Sequence, residues 1–478
     1  MYKALFTKYG IYLLSLTFFL FYATLSVVRH NHFLSAWDLS VVDQIMWKYS
    51  RFLEPITTIH AYSNTHIFSD HIELIYLILS PLYWLWNDVR MLIIAQAFFV
   101  SSSVIPVFWL ARKKGLKLLV AFALSISYLL FYGIQTAIWN DVHSIVFGAA
   151  ILPWFIYFLD LKNYKWTAVF FLLAIICKED VAFLTLAISF IYFLIRRDKL
   201  TIFLMCLSVF YLLAIFYVYF PHFTKDGYRF ESSGGIFSQI NIANYVNTPD
   251  KRDSLLYSLT WFGFLPLLAP IYLLGAFADI THYFLLGSAV ETAQGIVLHY
   301  RVTLAPLLAL PTIYVIARFK RLNTNFTALY LLLCALFLQY QLHLPLSYLS
   351  KSWFWTEPQS VSSINKVLTY LPKDASVVSQ VNIIPHLAHR EEAYTLWAEK
   401  KEFKKDSPCG KPACPWFRWD GNPEYLIADT STDWDIRQLF QNNPEFNEAL
   451  TSITKSGILK EYKKEGSTIL FKVIKNPN

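Results

Sequence analysis

The chain has 478 residues, 56% hydrophobic and only 15% charged, with a mean hydropathy of +0.41 and a formal charge of +8. A soluble chain carries roughly 25% charged residues, so the composition argues against a wholly water-soluble protein. It also argues against a nucleic-acid binder, because the positive excess sits in short clusters between apolar runs, at Arg112-Lys113-Lys114, Arg196-Arg197 and Arg318-Phe319-Lys320-Arg321. That is the pattern of cytoplasmic loops in a membrane protein.

In chain order, the first apolar run, Tyr9–Val28, is long enough to span a bilayer, for which about 20 residues are needed. No small-residue cleavage site follows it, so it reads as an uncleaved signal-anchor. Further spans are expected at roughly 91–111, 117–137, 144–160, 165–177, 181–195, 200–220, 255–268, 270–288, 297–317 and 325–346. Pro266 and Pro270 should break the run 255–288 into a hairpin, since proline removes a backbone donor and clashes with the preceding turn. Ile72–Trp86 reads as a juxtamembrane helix. The expected fold class is therefore a polytopic α-helical membrane bundle of about eleven spans over 1–350, with a first external loop at 29–90. If the basic clusters are cytoplasmic, the N-terminus is cytoplasmic too, and nearly all acidic and histidine residues flanking the spans fall outside.

From residue 351 the composition turns polar, and 351–478 reads as a small extracytoplasmic α/β domain. Strands are expected at Ser376–Val381, Tyr425–Asp429 and Thr468–Val473. The domain has no Gly-rich phosphate loop or nucleophile elbow, so no independent catalytic site is expected in it. Cys409 and Cys414 bracket Gly-Lys-Pro-Ala; a disulfide is favoured over free thiols, as suits an oxidising exterior. Zinc is disfavoured because no second ligand pair lies at finger-like spacing.

Chemistry-bearing residues cluster beside the apolar runs, where ionisable groups are costly and are functional candidates by default. Asp38 and Asp43 flank Leu39-Ser40-Val41-Val42 and, five residues apart, do not share one helical face. Asp38 suits a helix N-terminus, where a carboxylate also caps, or a general base or metal ligand near the membrane surface. Asp70-His71 offers oxygen and imidazole donors for a divalent cation. Asp141 and His143 join two spans, as does Lys178-Glu179-Asp180, either as a tight turn or as the lining of a polar cavity. His299-Tyr300-Arg301 opens a later span, where Arg301 presents a planar fork suited to phosphate or snorkels to the interface. His282 and Glu291 precede it and extend the same rim.

The ordered set Trp37-Asp38-Leu39…Asp43-Gln44, Asp70-His71, Lys178-Glu179-Asp180, His299-Tyr300, Leu371-Pro372-Lys373-Asp374-Ala375-Ser376 and Pro385-His386-Leu387-Ala388-His389-Arg390 resembles an uncharacterised "domain of unknown function" family of bacterial and archaeal membrane proteins. That family is grouped with the GT-C superfamily of polyprenyl-phosphate-sugar glycosyltransferases. The resemblance covers about residues 20–475. It implies that Asp38 is the catalytic base or a metal-coordinating carboxylate, and that Asp70, Asp141 or Asp180 supplies a second acid. The sequence departs from better-known members in having Asp-Leu-Ser rather than an Asp-Glu pair, and in lacking Pro-Pro after Asp70-His71. Both departures bear on the metal requirement.

The expected activity is inverting glycosyl transfer from a polyprenyl-phosphate-linked sugar at the outer face of a prokaryotic cytoplasmic membrane. The acceptor would be a glycan, lipid or protein, and the bundle would be solvated by membrane lipids. In this reading Asp38 is the base, with Asp70, Glu179 and Asp180 as further catalytic acids. Lys178, His299, Tyr300, Arg301, Asp141 and His143 hold substrate or phosphate. Asp38, Asp70 and His71 are candidate ligands for Mg or Mn. The alternatives are a lipid or amphiphile transporter, or flippase, and a non-catalytic envelope assembly protein.

Overall fold

A computed structural model describes residues 2–59, 65–224, 241–285, 292–404 and 406–477. The chain divides into two compact units: Met1–Ser26, Phe68–Ile78 and Ile93–Lys351 form the first, and Val27–Ile67, Leu79–Leu92 and Ser352–Asn478 the second. The second unit thus takes in most of the loop 29–90 as well as the polar C-terminal region.

The protein is mostly helical. Among the described residues, Tyr9–Asn31, Val89–Lys113, Leu118–Trp139 and Lys199–Phe223 are long and apolar enough to cross a membrane. The pair Thr292–Arg301 and Leu304–Arg318, bent by 76°, makes a fifth if taken as one span. Each remaining predicted segment contains a helix, but a shorter or more charged one. Ser144–Asp160 and Asn325–Gln341 have 17 residues each, and Glu179–Arg196 carries Glu179, Asp180 and Arg196 within its own length. The run 255–288 breaks as its prolines require: one helix ends at Trp261, a 3-10 turn covers Leu265–Leu268, and a new helix starts at Pro270. Ile72–Trp86 forms two short helices, Ile75–Leu79 and Leu82–Leu85, rather than one.

Within the first unit the helices are tied at both ends. At one end the Asp160 carboxylate takes Lys114 Nζ at 2.8 Å and Arg196 Nη2 at 3.1 Å, and accepts the Tyr314 hydroxyl at 2.5 Å. Arg196 also donates to the Leu159 carbonyl, closing the C-terminus of the Ser144–Asp160 helix. Asn323 bridges Lys117 N and Gly115 O nearby, so the loops that carry the three basic clusters share this end. The other end lies about 24 Å away along the Ser144–Asp160 helix. There Ser144 donates to Glu73 at 2.5 Å.

In the second unit, the Trp37–Tyr49 helix starts with Asp38 in its first turn, where a carboxylate meets the positive end of the helix dipole. Its Leu39, Val42, Ile45 and Met46 side chains are buried. Gln44 fixes the following loop by accepting from Thr57 Oγ1 and Thr58 N and donating to Thr58 Oγ1. Thr58 in turn exchanges hydrogen bonds with the Ala393 backbone, and Thr395 Oγ1 donates to Ile59 O.

That places residues 57–59 beside the edge strand of a five-stranded sheet. Its order is Ala393–Thr395, Val377–Ser379, Tyr425–Asp429, Thr468–Val473, Leu459–Glu465. The first three strands are parallel and the last two antiparallel to their neighbours. Trp416, Trp419, Phe417, Leu426, Phe446 and Ile453 fill the core. Cys409 and Cys414 are joined in a disulfide beside the hairpin Trp397–Glu402/Ala413–Arg418. A closed loop this short contributes about 2 kcal/mol.

Asp435 is fully buried beyond the carboxyl ends of the parallel strands. It accepts from Gln380 Nε2 at 2.9 Å and Asn382 N at 3.2 Å. Burial, reinforced by Asp429 and opposed by these two donors, pushes its carboxyl up to about 7. An acid whose folded pKa is raised holds its proton longer in the folded state, so stability falls as pH rises from about 4 through about 7. Asp435→Asn should therefore gain thermal stability relative to wild type at pH 8, and the gain should disappear toward pH 4. A difference between the two melting temperatures that stays flat across that range would refute the assignment.

Candidate active site

The second unit encloses a cavity of about 720 Å³, within the range that takes a small organic ligand. Its walls come from the end of the first helix (His30, Asn31), the start of the Trp37–Tyr49 helix region (Phe33, Asp43), the segment Asn87–Arg90, and the C-terminal region from Trp355 to His389.

The Asp43 carboxylate lies at the back, 1% exposed, where Oδ1 accepts from the Tyr83 hydroxyl and meets His389 Nε2 at 2.8 Å. His389, at 22% exposure, lines the cavity beside that carboxylate. Its ring is set by Tyr83 at 5.1 Å and Trp47 at 6.2 Å. An imidazole that donates one nitrogen to a buried carboxylate has its tautomer fixed and its other nitrogen free for proton transfer.

Across the cavity, Arg90 pairs with Asp88 through Nε and Nη2 at 2.7 and 2.5 Å, leaving Nη1. Burial pushes the Asp88 carboxyl up, but Arg90 outweighs it and holds the group below its ordinary value. His386 is sandwiched in near-parallel contact with His30, at 4.0 Å between ring centres, and with Phe33 at 3.8 Å. Burial, with His30 beside it, keeps the His386 imidazole well below its ordinary pKa and so neutral.

The first unit gathers a second polar cluster. His71 Nδ1 meets Glu179 Oε1 at 2.5 Å, while Glu179 Oε2 accepts from Ile72 N. Burial and Lys178 lower the His71 pKa, but Glu179 and Asp70 outweigh them and raise it to about 9. Asp180 takes Lys178 at 3.2 Å, His282 at 2.8 Å and the Tyr283 hydroxyl at 3.2 Å. The Tyr283 ring leads to Tyr300, then to His299, which stacks on His143 at 3.6 Å. Asp141 adopts a left-handed backbone at φ 61°, and its carbonyl accepts from Gln96, which also receives the His143 amide.

Arg301 is fully buried. It donates Nη2 to Ala293 O and lies 4.6 Å over the Tyr283 ring, while Nε and Nη1 have no hydrogen-bond partner among the described residues. Gly133 is obligatory against this turn, since a Cβ there would come within 2.4 Å of Arg301 O.

Asp70, His71, Asp141, His143, Lys178, Glu179, Asp180, His299, Tyr300 and Arg301 therefore belong to the first unit, and contacts link most of them into one cluster. Asp38 belongs to the second unit, half-buried at its helix start and not among the residues lining the cavity. Glu291 lies outside the described residues. No three His, Cys, Asp or Glu side chains among the described residues are arranged to hold a metal ion.

A family model described as "predicted membrane protein (DUF2079)" matches residues 29–431. The chain belongs to this family. No curated protein matches the sequence. The DUF2079 stretch contains every residue that lines the cavity, from His30 to His389.

Sequence reading gave no role to His30, Tyr83, Arg90, His386 or His389. The available signal was Pro385-His386-Leu387-Ala388-His389, two imidazoles three residues apart just past the strand Val377–Ser379. A 3-10 turn at Ile384–His386 brings both to the cavity.

Proposed function

We propose that this chain is a membrane glycosyltransferase that moves a sugar from a polyprenyl-phosphate donor to an acceptor hydroxyl on a glycan, lipid or protein. The observation that carries this reading is the Asp43–His389 pair facing a polar cavity that also holds one guanidinium. His389 takes the proton of the acceptor hydroxyl, whose oxygen attacks the anomeric carbon. The bond from that carbon to the phosphate oxygen breaks, and polyprenyl phosphate leaves with the electron pair, inverting the centre. Asp43 fixes the His389 tautomer and stabilises the imidazolium that forms. Arg90 Nη1 receives the departing phosphate charge.

The geometry favours Asp43 with His389 over Asp38 as the proton-accepting group. Lys178 and Arg301, enclosed in the first unit, act there as tethers of helix ends. The finer topology belongs to the same proposal: a GT-C-like bundle of about eleven spans in a prokaryotic cytoplasmic membrane, with the N-terminus in the cytoplasm and the C-terminal domain outside.

The test is transfer of labelled sugar from polyprenyl-phosphate donors in membranes containing the full chain. His389→Ala should lower the rate by at least about 100-fold. Undiminished transfer by that variant, or no transfer by wild type from hexosyl or pentosyl donors, ends the proposal.

One observation favours a second reading, transport of a lipid or amphiphile. Asp279 Oδ2 and Arg301 Nε and Nη1 are buried in the first unit without hydrogen-bond partners among the described residues, as in a charge-lined path. Flux of labelled donor lipid across proteoliposomes, unchanged by His389→Ala, would select that reading.

A further inference from the structure

The second unit carries an apolar patch built from two stretches of chain. Phe52 is 86% exposed, Leu85 79% and Trp84 63%, and Leu53 and Trp86 are exposed beside them. The stretches are fastened together: the Phe52 and Trp84 rings lie 6.1 Å apart, and Trp84 Nε1 donates to Ser50 O at 2.6 Å. Contiguous apolar surface of this kind marks an interaction site. Phe52 is also held at a backbone cost. The Trp37–Tyr49 helix closes through Leu53 N to Lys48 O and Phe52 N to Tyr49 O, the bonds of a turn whose left-handed position ordinarily takes glycine. Phe52 fills that position at φ 58°, where a bulky side chain is an outlier.

The patch adjoins an apolar helix. Val89–Lys113 is long and apolar enough to cross a membrane, and its first residues, Val89–Leu92, belong to the same unit as the patch. Trp86 precedes Val89 by three residues, a reach of at most about 11 Å. Tryptophan and its aromatic neighbours are the side chains of the membrane–water interface. The charges at the rim balance. Arg51 lies 4.4 Å over the Trp47 ring and Glu54 is exposed close by, while Arg90, 5.4 Å over the Trp86 ring, is paired to Asp88. With these four charges cancelling, burial of apolar area is the driving force, and the headgroup charge of the lipid is immaterial.

We propose that Phe52, Trp84 and Leu85 lodge in the headgroup–acyl boundary of the bilayer and fix the second unit on the membrane surface. One short helix, Leu82–Leu85, carries the consequence to the cavity. Its Tyr83 is buried and donates its hydroxyl to Asp43, while Trp84 and Leu85 are exposed. Asn87–Arg90, part of the cavity wall, follows at once. The patch thereby holds the cavity at headgroup depth, where a ligand carried on a membrane lipid presents its polar end. This anchoring stands apart from the glycosyl-transfer reading.

Photo-crosslinking tests it. Benzoylphenylalanine replaces Phe52, Trp84 or Leu85, one site at a time, in the full chain in phosphatidylcholine nanodiscs, and adducts are read by mass spectrometry. Tyr462 and Ile474, exposed in the same unit, are the control sites. Lipid adducts at the three patch sites should exceed those at the controls by about tenfold, and should not change when phosphatidylglycerol is mixed in. Phe52→Gly relieves the left-handed backbone, so it should be no less stable than wild type in detergent while lowering the adduct yield at Leu85 about threefold.

Patch yields no higher than those of the controls overturn the inference. So do lipid adducts that require phosphatidylglycerol, or adducts to a second copy of the chain in place of lipid. A Phe52→Gly variant that melts lower with the Leu85 yield unchanged does the same, since Phe52 then only completes the helix end.

Discussion

On the proposed glycosyl-transfer mechanism, Asp43→Asn is expected to lower kcat by about 10²–10⁴-fold while leaving donor binding near wild type. Asparagine matches the shape of aspartate, but its amide cannot replace the carboxylate that both Tyr83 and His389 address at Oδ1. With an NH₂ group or a neutral carbonyl there, the imidazolium formed during transfer loses its counter-charge, and the ring can turn its wrong nitrogen to the cavity. Tyr83→Phe tests the same geometry more gently. It removes one of the two hydrogen bonds to Asp43 and leaves the one to His389, so kcat should fall far less than in Asp43→Asn. Steady-state kinetics on the purified chain separates the cases. A fall in KM affinity with kcat preserved would show that Asp43 only shapes the pocket.

Asp180→Ala should destabilise the first unit by about 3–5 kcal/mol. The carboxylate is the shared partner of Lys178, His282 and the Tyr283 hydroxyl. Lys178 and Asp180 are both nearly enclosed, with side-chain exposures of 9% and 7%. Removing the acid leaves an ammonium group in a poorly hydrated setting, where breaking a pair costs far more than the pair's net worth. The double variant Lys178→Met/Asp180→Leu should recover much of the loss, because an apolar pair of similar volume carries no desolvation penalty. Thermal unfolding in detergent provides the readout. A single variant as stable as wild type would mean that His71 and Glu179 hold this end without Asp180.

The membrane character was legible because it is a property of windows: twenty apolar residues between basic clusters are visible without any knowledge of packing. The same holds for Tyr425–Asp429 and Thr468–Val473, whose apolar runs define their strands. Lys178–Asp180 and His299–Arg301 could be singled out because charges beside apolar helices are rare. The cavity was harder to see. Asp43 and His389 are separated by 346 positions, and His389 sits in a polar region where a histidine is unremarkable by composition. The strand Leu459–Glu465 was missed for a related reason: Leu-Lys-Glu-Tyr-Lys-Lys-Glu has the composition of a solvated helix, and only its pairing with Thr468–Val473 at the sheet edge makes it extended.

The second unit is assembled from pieces far apart in the chain, Val27–Ile67 and Leu79–Leu92 on one side and Ser352–Asn478 on the other. At ribosomal speeds of about 5–20 residues per second, the Trp37–Tyr49 helix emerges some tens of seconds before His389 exists to meet Asp43. Throughout that interval a buried-to-be carboxylate and a set of apolar side chains stand without their partners. A chain released by a ribosome that stalls before residue 352 carries its apolar helices but lacks every C-terminal residue of the cavity wall.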